Sequence, residues 1–226
     1  LFHPINRLDA TVDFIDADFK LTSSAQYHVH IGASHHVVNI RHLGESLYQV
    51  KCLESMIAHH GDRFIVRDPA SQHTLGGGRV VDIFIPRRKR SSESRLAQLN
   101  AMQNSSIDAL KQLLKMQVDG IKLQEFSICR NISNSAIEKL LETLKIEDIG
   151  FHSLNLEKSS LPVLLHEDYH SQYRNNILSY LKDFHQKQAN QQGISEPALS
   201  HGVDFASSHL LFHGILQSLL DSNAIK

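Results

Sequence analysis

The chain has 226 residues, 41% hydrophobic and 21% charged, with 23 Lys+Arg against 24 Asp+Glu and a formal net charge of −1. That length admits more than one domain, and that balance excludes a uniformly basic nucleic-acid coat, so any contact with RNA or DNA has to be local. There is no run of about 18 apolar residues, so no membrane helix is expected, and LFHPINRL lacks the basic start and apolar core of a signal peptide. The missing initiator Met suggests a piece of a longer chain. Cys52 and Cys129 fall far apart in apolar periodic segments, which fits buried free thiols in a reducing, cytoplasmic setting.

Residues 1–86 read as β. Leu8 to Asp16 alternates Ala10, Val12 and Phe14 against Thr11, Asp13 and Ile15. Tyr27 to Gly32 and Val37 to Leu43 pair around Ala33-Ser34-His35-His36, and Leu47 to Leu53 is a fourth strand. Arg63 to Arg67 puts Phe64 and Val66 on one face. Asp68 to Gln72 then forms a turn, Gly76-Gly77-Gly78 follow, and Arg79 to Ile85 is a β-branched strand. About six strands are consistent with a closed Greek-key barrel, and three glycines in a strand context mark a corner where the barrel closes. The glycines are not a phosphate loop, which would open a helix and carry Lys-Ser/Thr or GxGxxG spacing.

Arg87-Arg88-Lys89-Arg90 and the serines after it, residues 87–94, form a basic linker and the clearest domain boundary. The period then changes to helix. Arg95 to Met102 is short. Ser105, with Asp108 three residues on, caps a second helix; Leu123 to Cys129 is a third; Ser135, with Glu138 three on, caps a fourth whose stripe is Ile137, Leu140, Leu141 and Leu144. Ile146 to Gly150 and Phe151 to Leu156 read as a hairpin, making residues 95–158 a winged helix. Residues 159–226 repeat the helix order without a wing: a long helix from Pro162, closed by Asn190-Gln191-Gln192-Gly193, a short helix from Pro197 to Gly202, and a last one from Phe205 to Leu220.

His166-Glu167-Asp168-Tyr169-His170 fits H-E-x-x-H, in which two histidines bind zinc and the Glu acts as base, so a zinc hydrolase is one alternative. The third ligand is missing from the motif: Tyr173 and Asn176 stand where a metzincin has Gly and His. His209 and His213 share the i, i+4 spacing, with Leu210 in place of a catalytic Glu. A winged-helix DNA-binding regulator is the other alternative. Its phosphate-contacting cations should lie on the recognition helices, yet Ser135 to Leu144 exposes Glu138, Lys139, Glu142 and Thr143, and Asp204 to Leu220 has no Lys or Arg. No Gly-x-Ser-x-Gly elbow and no P-loop occur.

RFIVRD…QHTLGGGRVVDIFIPRR resembles the last barrel domain of elongation-factor-Tu-like translation GTPases, above all the bacterial selenocysteine-specific elongation factors. YHVHIGASHHVVNI, from Tyr27 to Ile40, is similar to a barrel hairpin of the same family. One proline of the family's Pro-Pro-Arg-Arg is absent at Ile85-Pro86, Pro69 replaces a small or polar residue, and Val37-Val38 replaces a Thr-Gly-like pair. The resemblance implies an elongation-factor-Tu-like third barrel, residues 1–86, followed by two winged-helix modules, the second truncated. It implies a monomer that docks selenocysteyl-tRNA and works on the ribosome, with the mRNA hairpin bound mainly by segments further on. GTP and Mg would belong to an upstream domain, leaving this stretch without catalytic residues, cofactor or metal. The residues expected to line the tRNA are His28, His30, His35, His36, Arg67, Asp68, Gln72, Thr74, Gly76, Gly77, Gly78 and Arg79. Arg87, Arg88, Lys89 and Arg90 are expected to hold RNA backbone beside the glycines.

Overall fold

The computed structural model describes residues 3–22, 24–156, 159–188, 191 and 193–225. Leu1, Phe2 and Lys226 at the ends, residues 157–158 at the expected module boundary, and Asn190 and Gln192 of the expected helix stop lie outside them.

Six strands close into an antiparallel barrel: β1 (Ile5–Phe14), β2 (Tyr27–Ile31), β3 (Ser34–Gly44), β4 (Leu47–Met56), β5 (Arg63–Arg67) and β6 (Thr74–Asp82), in the order β1-β4-β3-β2-β5-β6. β1 lies beside β4 at the end of the β2-β3-β4 run, which is the Greek key. The two-residue period puts Ala10, Val12, Val29, Val38, Ile40, Val50, Phe64, Val66 and Val80 in the buried interior. Ile15 and Ile65, on the other phase, are 74% and 48% exposed.

β6 begins at Thr74 and ends at Asp82, so the three glycines lie inside the strand, not in a turn ahead of a strand running from Arg79 to Ile85. Each glycine is laddered on both sides: Gly76 to Phe14 and Val66, Gly77 to Asp13 and Ile65, Gly78 to Thr11's neighbour Val12 and Phe64. A Cβ on Gly76 would stand 2.3 Å from the Asp13 carbonyl oxygen, and one on Gly78 would stand 2.4 Å from the Phe64 ring and from Thr11 O. At both positions the close approach requires glycine, as expected where a small barrel turns its corner.

Helix α1 (Glu93–Met102) starts at Ser92, whose hydroxyl accepts from Arg95 N. Its Arg95 is 7% exposed and donates through Nη2 to Asp9 Oδ2 at 2.6 Å and to Asp82 Oδ2 at 2.8 Å. Gln49 Nε2 donates to Asp9 Oδ1 at 3.1 Å. Asp9, Gln49 and Asp82 sit opposite one another across β1, β4 and β6. Outward positions that would otherwise be wet are thus sealed by one guanidinium. Burial still pushes the Asp9 carboxyl above its ordinary range, because it outweighs the attraction of Arg95. Arg130 fixes the end of the same helix by donating to the carbonyls of Met102 and Asn104. Two compact units result. The first comprises residues 1–109 and 125–140; the second comprises 110–124 and 141–226. Residues 95–109 and 125–140 therefore fall in one unit with the barrel, although the charged linker reads as a boundary.

The remaining elements are α2 (Ser106–Met116), β7 (Ile121–Lys122), α3 (Leu123–Arg130), α4 (Asn134–Ile146), β8 (Phe151–Leu154), β9 (Val163–His166), α5 (Glu167–Lys187), α6 (Glu196–Gly202) and α7 (His209–Asp221). Ser105 caps α2 as expected, with Asp108 N donating to its hydroxyl at 3.3 Å. The α4 cap is Ser133, which accepts from Ala136 N, not Ser135. The expected hairpin is displaced. Ile146 ends α4, and Phe151–Leu154 pairs with Val163–His166 in a sheet of order β7-β9-β8. The long helix therefore starts at Glu167 and not at Pro162. Val163, Leu164 and Leu165 are all buried, and a short all-apolar run carries no period that separates strand from helix. In the second unit one core joins Leu154, Val163 and Leu165 of the sheet to Ile177 of α5, Leu199 of α6, and Leu211, Phe212, Ile215 and Leu219 of α7. No helix among the described residues is long and apolar enough to cross a membrane.

Candidate nucleic-acid interface

The register of β2, β5 and β6 gathers most of the expected site on the barrel's outer face. His28 lies opposite Arg67, His30 opposite both His35 and Ile65, and Ile65 opposite Gly77. The imidazoles of His28 and His35 stack at 4.8 Å and 9°, and His30 packs on His35 at 4.8 Å. Their proton order follows from a carbonyl, which can only accept. Nε2 of His28 donates to Pro69 O at 3.2 Å, so its Nδ1 accepts from His35 Nε2 at 2.6 Å. Nδ1 of the exposed His35 then points away from the pair. His30 Nε2 is buried without a hydrogen-bond partner. Desolvation, then the neighbouring His35, Arg67 and His28, hold the His30 imidazole below its ordinary pKa, so it stays neutral.

The β5–β6 turn is built by residues expected to touch RNA. Asp68 accepts from Gln72 N at 2.6 Å and His73 N at 2.9 Å, and Arg67 Nη2 donates to Gln72 O at 3.1 Å. The backbone donors, that of His73 first, hold the Asp68 carboxyl below its usual value. Asp68 is therefore a turn former whose acceptors face its own backbone. Thr74 is exposed at the foot of β6, across from Arg67. His36 falls on the opposite phase, across from the inward Val29, and donates to Ser34 Oγ at 3.1 Å.

Of the three glycines only Gly77 faces outward with room. A Cβ there would be 3.4 Å from Phe64 O and meet nothing else. Next to this notch Arg63 and Arg79 stand directly opposite each other, both exposed. Like charges facing across a ladder repel unless an anion joins them. Sequence reasoning named Arg79 but missed Arg63; the strict alternation of Arg63, Ile65 and Arg67 was the available signal. Arg87, Arg88 and Lys89 are exposed in the connection between β6 and α1, and Arg90 Nε donates to Pro86 O at 3.0 Å. They follow the Asp82 end of β6, whereas the glycines lie toward its Thr74 end.

The zinc motif does not assemble. His166 is the last residue of β9 and the N-cap of α5, accepting from Asp168 N at 3.2 Å, so the two histidines do not share a helix face. His170 is 7% exposed, stacks on His152 at 3.7 Å and lies 3.2 Å from Ser218 Oγ. Among the described residues no three His, Cys, Asp or Glu side chains are gathered so as to hold a metal. His213 and His209 lie 3.1 Å and 3.5 Å from the Glu196 carboxylate. The cysteines are buried thiols. Burial pushes Cys52 up to about 11 and raises Cys129 further, so neither offers a thiolate. For a DNA reader, α7 lacks any Lys or Arg on its exposed positions His209, Leu210, Gln217, Leu220 and Asp221.

A closed Greek-key barrel carrying helical units with a β-hairpin is a barrel-plus-winged-helix architecture. The same architecture occurs in a crystal structure of the bacterial selenocysteine-specific elongation factor EF-Sec, with a TM-score of 0.64 and 18% identity over 99% of this chain and 33% of that one. Residues 9–87 match the family model described as "Selenocysteine-specific elongation factor, beta-barrel domain". Through this barrel the chain is similar to the selenocysteine-specific elongation factors. Among its relatives, the selenocysteine-specific elongation factor of Escherichia coli (strain K12) is 24% identical over 76% of the chain and 26% of that protein. The one from Desulfomicrobium baculatum is 24% identical over 78% of the chain and 27% of that protein. The chain thus spans about a quarter of the length of these relatives.

Proposed function

We propose that the outer face of β2, β5 and β6 docks the backbone of selenocysteyl-tRNA, and that the helical units connect this barrel to the end of the factor that meets the mRNA hairpin on the ribosome. These residues bind and do not catalyse; GTP and Mg chemistry belongs to another part of the factor. The observation that carries the reading is the pair of opposed, exposed arginines, Arg63 and Arg79, beside the open Gly77. Two guanidiniums at this spacing suit phosphate oxygens, and a glycine lets a backbone come close. His28 and His35 extend the face with a flat stacked surface suited to ribose or a phosphate oxygen.

The test is binding of this protein to selenocysteyl-tRNA over a salt series. Log affinity should fall linearly with log salt, and Arg63→Ala and Arg79→Ala should each reduce the slope by about one. Arg87→Ala with Arg88→Ala measures the linker's share in the same assay. A flat salt dependence, or slopes unchanged by both face arginines, overturns this docking face.

A further inference from the structure

The second unit contains a feature that tRNA docking does not use. A cavity of about 420 Å³ opens beside α5, between the turn before β7 and the α6–α7 connection. Tyr169, Tyr173 and Phe205 supply aromatic surface, and Asp119 and Asp204 supply carboxylates. A shallower hollow of about 340 Å³ continues it along α5, sharing Asn176, Val203 and Asp204 and adding Asp183. Neither hollow is lined by any Lys or Arg. Arg174 and Lys182 are on α5 but outside both linings.

The polar tips of the aromatic residues are already engaged. Tyr169 OH donates to Lys115 O at 2.8 Å and Tyr173 OH to Val118 O at 3.1 Å, while Tyr173 and Phe205 pack edge to face at 4.9 Å. What they offer a ligand is ring surface. Asp119 accepts from Ser207, which fixes one oxygen. Among the described residues, the side chains of Asp183 and Asp204 take part in no ion pair. From Tyr169 to Asp183 is about 21 Å along the helix. Fixed aromatic faces with carboxylates spaced along a groove, and no cation in its walls, repel phosphate and suit ammonium or guanidinium groups.

We propose that this groove binds a linear organic cation with two or more ammonium or guanidinium groups, an aliphatic polyamine or an extended segment rich in arginine. The inference stands apart from the tRNA reading, since it involves none of the barrel residues.

Calorimetry of the intact protein tests it with three probes: spermidine, an Arg-x-x-Arg peptide, and inorganic phosphate as the anion control. At least one cation should bind, phosphate should not, and the tighter cation identifies free amine or peptide as the source. Asp204→Asn should weaken the cation about fivefold, and Asp183→Asn with Asp204→Asn about tenfold or more, as exposed ion pairs are lost. Asn keeps the left-handed backbone found at Asp204 (φ 49°), so this variant retains its turn. Circular dichroism verifies that each variant is folded. Failure of both cations to bind, binding unchanged in the double variant, or phosphate binding as well as the cations would overturn the proposal.

Discussion

Removing the Arg95 guanidinium should cost more than any other single charge deletion in the barrel unit. The side chain is 8% exposed, Asp9 is 0% and Asp82 10%, so Arg95→Met leaves two carboxylates facing each other, largely without water or counter-charge. Breaking a buried pair from one side costs about 3–5 kcal/mol. At the lower bound that is a Tm loss of about 6–12 °C for a chain of this size. The partner substitution behaves differently. The cluster holds two carboxylates against one guanidinium, and burial already favours the neutral form of Asp9. In Asp9→Asn the amide oxygen can keep Arg95 while its nitrogen donates to a flipped Gln49, so the expected cost is within about 1 kcal/mol. A carboxyl whose folded pKa is raised contributes stability that is fully present below about pH 3.9 and lost as pH rises through the folded value. The balance between Asp9→Asn and wild type should therefore shift toward wild type on acidification. Urea melts followed by far-UV circular dichroism suit the chain, which has no Trp. A cost below about 1 kcal/mol for Arg95→Met, or an Asp9→Asn cost equal to it, would refute the account of one guanidinium holding two buried carboxyl groups together.

Gly76→Ala and Gly78→Ala should each destabilise the barrel by about 1–3 kcal/mol, because backbone must move to admit the methyl group, whereas Gly77→Ala should be near neutral in the same melts. Desolvation, with His152 and Arg174 adding to it, lowers the His170 pKa to about 4, so His170 is neutral and donates from Nε2 to Ser218. A depressed folded pKa means stability is present above about 6.5 and lost as pH falls toward about 4, by at most about 3 kcal/mol and nearer half that after solvent screening. Urea stability of His170→Gln should then depend less on pH than wild type between pH 7 and 4.5; equal slopes would dismiss the idea. Ser208→Ala removes the hydroxyl that accepts from Leu211 N at the start of α7 and should cost about 1 kcal/mol, seen as reduced stability of the second unit.

The barrel was legible because its strands are half-buried, and alternation such as Phe64 and Val66 against Arg63, Ile65 and Arg67 records which side faces the core. Asp9 hid the junction. On a strand pattern it reads as a wet residue, and only the fold brings Arg95, 86 positions away, against it. The winged-helix hairpin was misplaced because Val163-Leu164-Leu165 is uniformly apolar and follows a proline that suits a helix start. Its pairing with β8 and β7 is decided by non-local contacts. The zinc motif was the opposite case, a local pattern that tertiary structure divides between a strand end and a helix.

The expected interface changed in kind for a similar reason. Three adjacent glycines suggest bare backbone, but strand alternation sends Gly76 and Gly78 toward the interior and leaves Gly77 as the one outward opening. Likewise four basic residues in a row suggest a charged patch, yet the arginines that face each other are 16 positions apart in sequence. A chain of net charge −1 can still bind RNA if its charge is sorted by surface, with guanidiniums on one barrel face and carboxylates in a groove of the other unit. Both proposed contacts are then salt-sensitive but opposite in sign of ligand. Raising salt should weaken tRNA and polycation binding alike, while Arg79→Ala should affect only the first and Asp204→Asn only the second. If one substitution moved both, the two surfaces could not be independent sites.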